Sequence, residues 1–98
     1  MSIKDIVTTL QHKTVKKHLI DHAIVHISIG GSFAKWNNKK DSDIDLIVEV
    51  DANTVGTNYF SIPRYLEWKL WRKIDLIDKD YINVHIKDSL LSHTIPVW

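Results

Sequence analysis

A small-residue turn and three aspartates are the groups in this chain whose types and spacing can do chemistry together. Gly30-Gly31-Ser32 follows an apolar run, and Asp43 and Asp45 stand at alternate positions, the first of them eleven residues after Ser32. Glycine lets a backbone approach a polyphosphate closely, and a helix start after it turns free N–H groups and the positive dipole end toward the anion. In an extended strand Asp43 and Asp45 point to one face, roughly 6.5–7 Å apart at Cα, so their carboxylates converge on a cation. Hard oxygen donors with open coordination positions suit Mg²⁺, which binds through one or two carboxylates plus substrate phosphates. The combination predicts a site for a metal–nucleoside triphosphate.

Asp75 extends the same logic. Ile74 and Leu76 share one strand face, which leaves Asp75 on the other, in the middle of an otherwise apolar segment. Should this strand neighbour the one that begins at Ile44, about 4.8 Å away, Asp75 joins Asp43 and Asp45 in one cluster. Three carboxylates so close resist full ionisation unless a cation compensates them. Asp78 falls on the opposite parity and is expected at the strand end.

The elements that must position these groups follow from the apolar periodicity. Ser2 and Asp5 pair as a cap for a first helix through Ile3, Ile6, Val7 and Leu10, with Leu19 and Ile20 near its end. Ile24 to Ile29 alternates as a strand with Val25, Ile27 and Ile29 on one face and His26 and Ser28 on the other. Ser32 caps a short helix to about Trp36, and Ile44 to Val50 is a second strand with Ile44, Leu46, Val48 and Val50 on its core face. A helix is expected from about Ser61 or Ile62 to Arg72, with Pro63 in its first turn. Ile74 to Ile77 reads as a third strand, Tyr81 to about Ser92 as a helix, and Pro96 as the start of a tail or edge strand ending at Trp98. The expected architecture is one α+β domain over residues 1–98, a small mixed β-sheet backed by helices.

Composition narrows the function. The 98 residues carry a formal charge of +1, so no net basic field points to nucleic acid. There is no cysteine, hence neither a disulfide framework nor a thiolate zinc site. No apolar run reaches the ~18 residues of a membrane span, and the N-terminus lacks the layout of a signal peptide, so a cytoplasmic location is expected. Neither Gly-x4-Gly-Lys-Ser/Thr nor Gly-x-Gly-x-x-Gly occurs, which argues against P-loop and Rossmann sites. His18, His22 and His26 are spaced by four, but the chain must turn near His22, so solvated or capping roles are expected rather than a zinc site. Lys39 and Lys40 form a basic loop just ahead of the acidic pair. Trp68 and Trp71 project away from the Ile62, Leu66 and Leu70 stripe, and with Trp98 are candidate anchors for a protein partner.

The pattern Gly-Ser-x-Ala-basic, followed by Ser-Asp-x-Asp-Leu, resembles the nucleotidyltransferase superfamily, and at this length its minimal (MNT) branch. The resemblance implies a nucleotidyltransferase (polymerase beta-like) fold in a single minimal domain. It implies nucleotide binding by Gly31 and Ser32, joined by Lys35 as the basic residue, and a metal-binding catalytic set of Asp43, Asp45 and Asp75. It further implies one or two Mg²⁺ ions, ATP as the substrate and AMP as the transferred group. Minimal members are commonly antitoxins paired with a HEPN-type toxin, some of which they adenylylate on a tyrosine; the alternative is a non-catalytic antitoxin that neutralises its partner by occlusion. The chain departs from the pattern at Lys35-Trp36, where the family usually has Arg-Gly. Lysine keeps the charge but not the planar bidentate contact, and tryptophan brings a large side chain to a glycine position.

Overall fold

The computed structural model describes residues 3–30, 44–51, 61–81 and 94–98. In chain order these form α1 (Ile3–Gln11), α2 (Lys13–Asp21), β1 (Ile24–Gly30), β2 (Ile44–Val50), α3 (Ser61–Leu70), β3 (Ile74–Asp78), a 3₁₀ turn (Lys79–Tyr81) and β4 (Ile95–Pro96). The four strands make one sheet in the order β3-β2-β1-β4. β1 runs antiparallel to both β2 and β4, whereas β2 and β3 are parallel. Parallel neighbours require a crossover, and α3 lies in the connection between them. The sheet is therefore mixed and helix-backed, the expected fold class. The short helix expected after Ser32 and most of the one after Tyr81 fall outside the described residues.

One face of the sheet carries the core. Ile27 and Ile29 of β1, Ile44, Leu46 and Val48 of β2 and Ile74 of β3 cluster with Ile6, Leu10, Val15, Leu19, Ile62, Leu66 and Leu70 of the helices. No polar or charged residue is buried among the described ones. The chain's end closes this core: the Ile27 N–H donates to the Trp98 carbonyl at 3.0 Å, and Val97 N–H donates back to Ile27 at 2.9 Å. Trp98 Nε1 donates to the Leu10 carbonyl at 2.9 Å, and its ring packs against the core. Trp98, a candidate partner anchor, is thus half-buried, with its polar edge and part of its ring engaged within the fold.

Three local expectations also change. The first helix is two helices, broken at His12, whose ψ of 135° is extended rather than helical and whose Nδ1 accepts from Thr14 N–H. The step from Leu10 to Val15 is five residues, so one continuous helix would have turned the two buried pairs to different faces. In β1 the register with β2 shifts between Ile24 and His26, a bulge that turns Val25 outward to 45% exposure while Ile24 is buried. α3 ends at Leu70 because Trp71 takes a left-handed φ of 57°, with its N–H still donating to the Glu67 carbonyl. Glycine usually occupies such a position, since a Cβ there crowds the following carbonyl.

Candidate active site

Burial of the core face fixes what the other face presents. Ile44, Leu46 and Val48 are buried in the core, so the pleat sends Asp45, Ile47 and Glu49 to the opposite side of β2. Ile74 does the same on β3 and turns Asp75 outward, where it is exposed. The parallel register sets Asp45 directly across from Asp75, and the antiparallel register sets Gly30 across from Asp45 on the other side. Gly30, Asp45 and Asp75 thus form one row across three strands. Gly30 ends β1, and Gly31 and Ser32 follow it in the chain.

The condition that the third strand neighbour the second is met, and Asp75 lies beside Asp45. Asp43, Gly31, Ser32 and Lys35 lie outside the described residues, as do Ala34 and the Lys39-Lys40 pair. Asp78 ends β3 and its Oδ1 accepts from Asp80 N–H at 3.0 Å, an Asx-type turn into the 3₁₀ segment. That use leaves Asp75 as the β3 carboxylate facing Asp45.

The residues around this row include several that sequence reasoning left without a role. A cavity of about 250 Å³ is lined by His26, Ser28, Ile47, Val48, Glu49, Lys79 and Thr94. His26 and Glu49 are cross-strand partners, as are Ser28 and Ile47. Their alternation was legible, because His26 and Ser28 belong to the non-core face of β1. Their meeting with Glu49 and Lys79 depends on strand pairing, which periodicity does not specify.

His18 and His22 are engaged in ring and backbone contacts. The His18 ring stacks on His22, centroids 4.3 Å apart, and on Tyr65 of α3 at 3.7 Å. His22 Nδ1 lies 2.8 Å from the His18 carbonyl, closing the end of α2. Burial lowers the His18 pKa, the neighbouring His22 and Lys69 lower it further, and Asp21 opposes them. Among the described residues no group of three or more potential ligands gathers around a common point. Trp68 and Trp71 are 67% and 88% exposed, as their projection from the α3 stripe predicts. Lys69 Nζ stands 4.4 Å from the centre of the Trp68 ring, a cation–π contact.

The mixed sheet, backed by helices on its core face, carries two facing aspartates on its other side next to a strand that ends in glycine. The chain belongs to the nucleotidyltransferase domain family, whose profile matches residues 11–97. It is 35% identical over 91 residues to a Methanocaldococcus jannaschii protein named for protein adenylyltransferase activity, covering 90% of this chain and 87% of that one. Among solved structures, one described as a minimal nucleotidyltransferase matches with a TM-score of 0.77 at 21% identity, covering 98% of this chain and 96% of its own. A chain of a toxin–antitoxin complex with AMP-PNP matches with a TM-score of 0.70 at 20% identity, over 91% of this chain and 73% of that one. A complex of tri-AMPylated Shewanella oneidensis HEPN toxin with MNT antitoxin matches at 0.61 and 18%, over 87% and 66%.

Proposed function

We propose that this chain transfers AMP from ATP to a protein hydroxyl, a tyrosine of a HEPN-type toxin, and acts as that toxin's antitoxin. The observation that carries the reading is the register of Asp45 against Asp75 on adjacent parallel strands, in a chain of the nucleotidyltransferase family. The relative named for protein adenylyltransferase activity supports protein as the acceptor. Gly31, Ser32 and Lys35 bind the β- and γ-phosphates. Asp43, Asp45 and Asp75 form the metal-binding catalytic set, and two carboxylates facing each other on one side of a sheet fit a hard divalent cation in charge and donor type. Mg²⁺, when bound, supplies charge neutralisation at the phosphates. Asp75 orients the attacking hydroxyl and takes its proton.

Calorimetry with ATP tests the nucleotide site. Binding should require Mg²⁺ and disappear in the Asp43→Asn/Asp45→Asn double variant; equal binding by that variant removes the site. Incubation with labelled ATP, Mg²⁺ and a cognate HEPN protein should label the partner and release pyrophosphate. The exposed Trp68 and Trp71 favour a second reading, neutralisation by occlusion alone. Neutralisation without nucleotide and without any gain in partner mass would establish that reading instead.

No described helix is long and apolar enough to cross a membrane.

A further inference from the structure

The peptide group between Lys73 and Ile74 fixes where β3 begins, and it is held from both sides. On one side the Ile44 N–H of β2 donates to the Lys73 carbonyl at 2.9 Å. In a trans peptide the N–H points opposite to the C=O, so the Ile74 N–H leaves β3 on the side away from β2. β3 is the outermost strand there, so among the described residues no neighbouring strand accepts from it. The acceptor is a side chain: Oε1 of Glu67, on α3, lies 3.3 Å from the Ile74 nitrogen.

Glu67 holds the other end of the same connection as well. Its carbonyl accepts the Trp71 N–H at 2.8 Å, at the residue whose left-handed φ of 57° ends α3. Trp71, Arg72 and Lys73 therefore form a turn that starts on the backbone of Glu67 and finishes on its side chain. Glu67 is half-buried, and among the described residues its carboxylate makes no ion pair.

We propose that Glu67 is a positioning residue for the carboxylate pair: by pinning the Lys73–Ile74 peptide against β2, it keeps Asp75 in place beside Asp45. The proposal rests on the transferase reading, in which those two carboxylates share a cation, and adds a residue outside the site on which their spacing depends. Burial of Ile74 decides which face Asp75 takes, since a slip by one residue would reverse it. It does not stop the strand's start from fraying. Asp75 is the second residue of a five-residue strand paired on one side only, and element ends open first. A binding constellation must hold its groups within about 0.5 Å, which a frayed strand start does not do. What the Ile74 amide needs is an acceptor oxygen within reach rather than a charge. Glutamine supplies that oxygen at the same chain length, whereas aspartate keeps the charge and falls a methylene short.

Amide-resolved NMR of the ¹⁵N-labelled full chain tests this in two stages, on the native protein, Glu67→Gln and Glu67→Asp. Without metal, the Ile74 amide should exchange with solvent roughly tenfold faster in Glu67→Asp and at the native rate in Glu67→Gln. The second stage adds Mn²⁺, a paramagnetic ion that shares the preference of Mg²⁺ for oxygen donors, together with α,β-methylene-ATP, which cannot transfer AMP. In the native chain the Asp45 and Asp75 amides should broaden; no broadening there removes the transferase reading and this proposal with it. Where they do broaden, Glu67→Asp should need roughly tenfold more Mn²⁺ for the same effect, the scale of losing a residue that orients a metal ligand, and Glu67→Gln should titrate like the native chain. The reverse order, with Glu67→Asp native-like and Glu67→Gln weakened, would make the role of Glu67 one of charge and overturn the proposal. An Ile74 amide equally protected in all three proteins overturns it too, as does a Glu67→Asp chain that loses that protection yet binds Mn²⁺ like the native one. Glu67→Met, which keeps the length and offers no oxygen, takes the same comparison if Glu67→Asp does not fold.

Discussion

Replacing Asp75 with asparagine is expected to stabilise the metal-free protein. Asp75 stands directly across from Asp45 on the neighbouring parallel strand, and both point to the same side of the sheet. Like charges directly opposite in a sheet destabilise it, by about 0.2–1 kcal/mol on the scale of cross-strand pairs. Coulomb's law gives the same size: two unit charges about 5 Å apart in a medium with the dielectric of water repel by about 0.8 kcal/mol before screening. Asparagine keeps the shape and removes the charge. A gain of about 0.5 kcal/mol at low ionic strength follows, which raises the melting temperature of a domain this size by roughly 2–4 °C. The gain should shrink in 1 M salt, where the Debye length falls to about 3 Å. Mg²⁺ should reverse the ranking. A cation held by both carboxylates stabilises the native chain by RT ln(1 + [Mg²⁺]/Kd), about 1.4 kcal/mol at ten times Kd, and the variant loses much of this. Circular-dichroism melts of both proteins at low and high salt, with and without Mg²⁺, measure each term. A variant that melts below the native chain without metal at low salt, or a gain unchanged at high salt, would refute the facing-carboxylate argument.

Other perturbations separate the remaining structural roles. Trp71→Gly should raise stability by about 1 kcal/mol, because it relieves a left-handed φ of 57° at a ring that is almost fully exposed; denaturant unfolding measures it. Since burial and then the His22 charge lower the His18 pKa, the unfolded chain binds protons more readily than the folded one. The stability from His18 is complete above its ordinary pKa of 6.5 and falls as the pH drops from there through the lowered folded value. His18→Phe retains a ring for the stack on Tyr65 and should flatten the melting temperature over that window; an unchanged slope would assign the dependence to other groups. Trp68→Ala should leave the thermal melt nearly unchanged but weaken binding to a cognate HEPN protein by ~2 kcal/mol or more, as loss of a central aromatic anchor does. A lowered melt with unchanged partner affinity would make Trp68 part of the fold rather than of an interface.

The sequence by itself determined the parity of every site residue in the strands. Alternation has a period of two, so placing Ile44, Leu46 and Val48 in the core forces Asp45 to the other face, and Ile74 forces Asp75 likewise. The exposure of Trp68 and Trp71 was legible for a similar reason, since the helical period turns them off the Ile62–Leu66–Leu70 stripe. Local geometry with its own energetic signal was less visible. The break at His12 showed only as a five-residue step in the apolar pattern, and the β1 bulge and the left-handed Trp71 left no mark in residue type. Only the tertiary structure decided which strands are neighbours and in which direction they run. That arrangement sets Gly30, Asp45 and Asp75 in one row, brings His26 across from Glu49, and carries Lys79 to the cavity rim. It also half-buried Trp98, because that ring's packing depends on hydrogen bonds to Leu10 of α1 and Ile27 of β1 rather than on its own neighbours in the chain. Periodicity is a property of one segment and can be read there; pairing is a choice among distant segments, made by the burial of all their apolar faces at once.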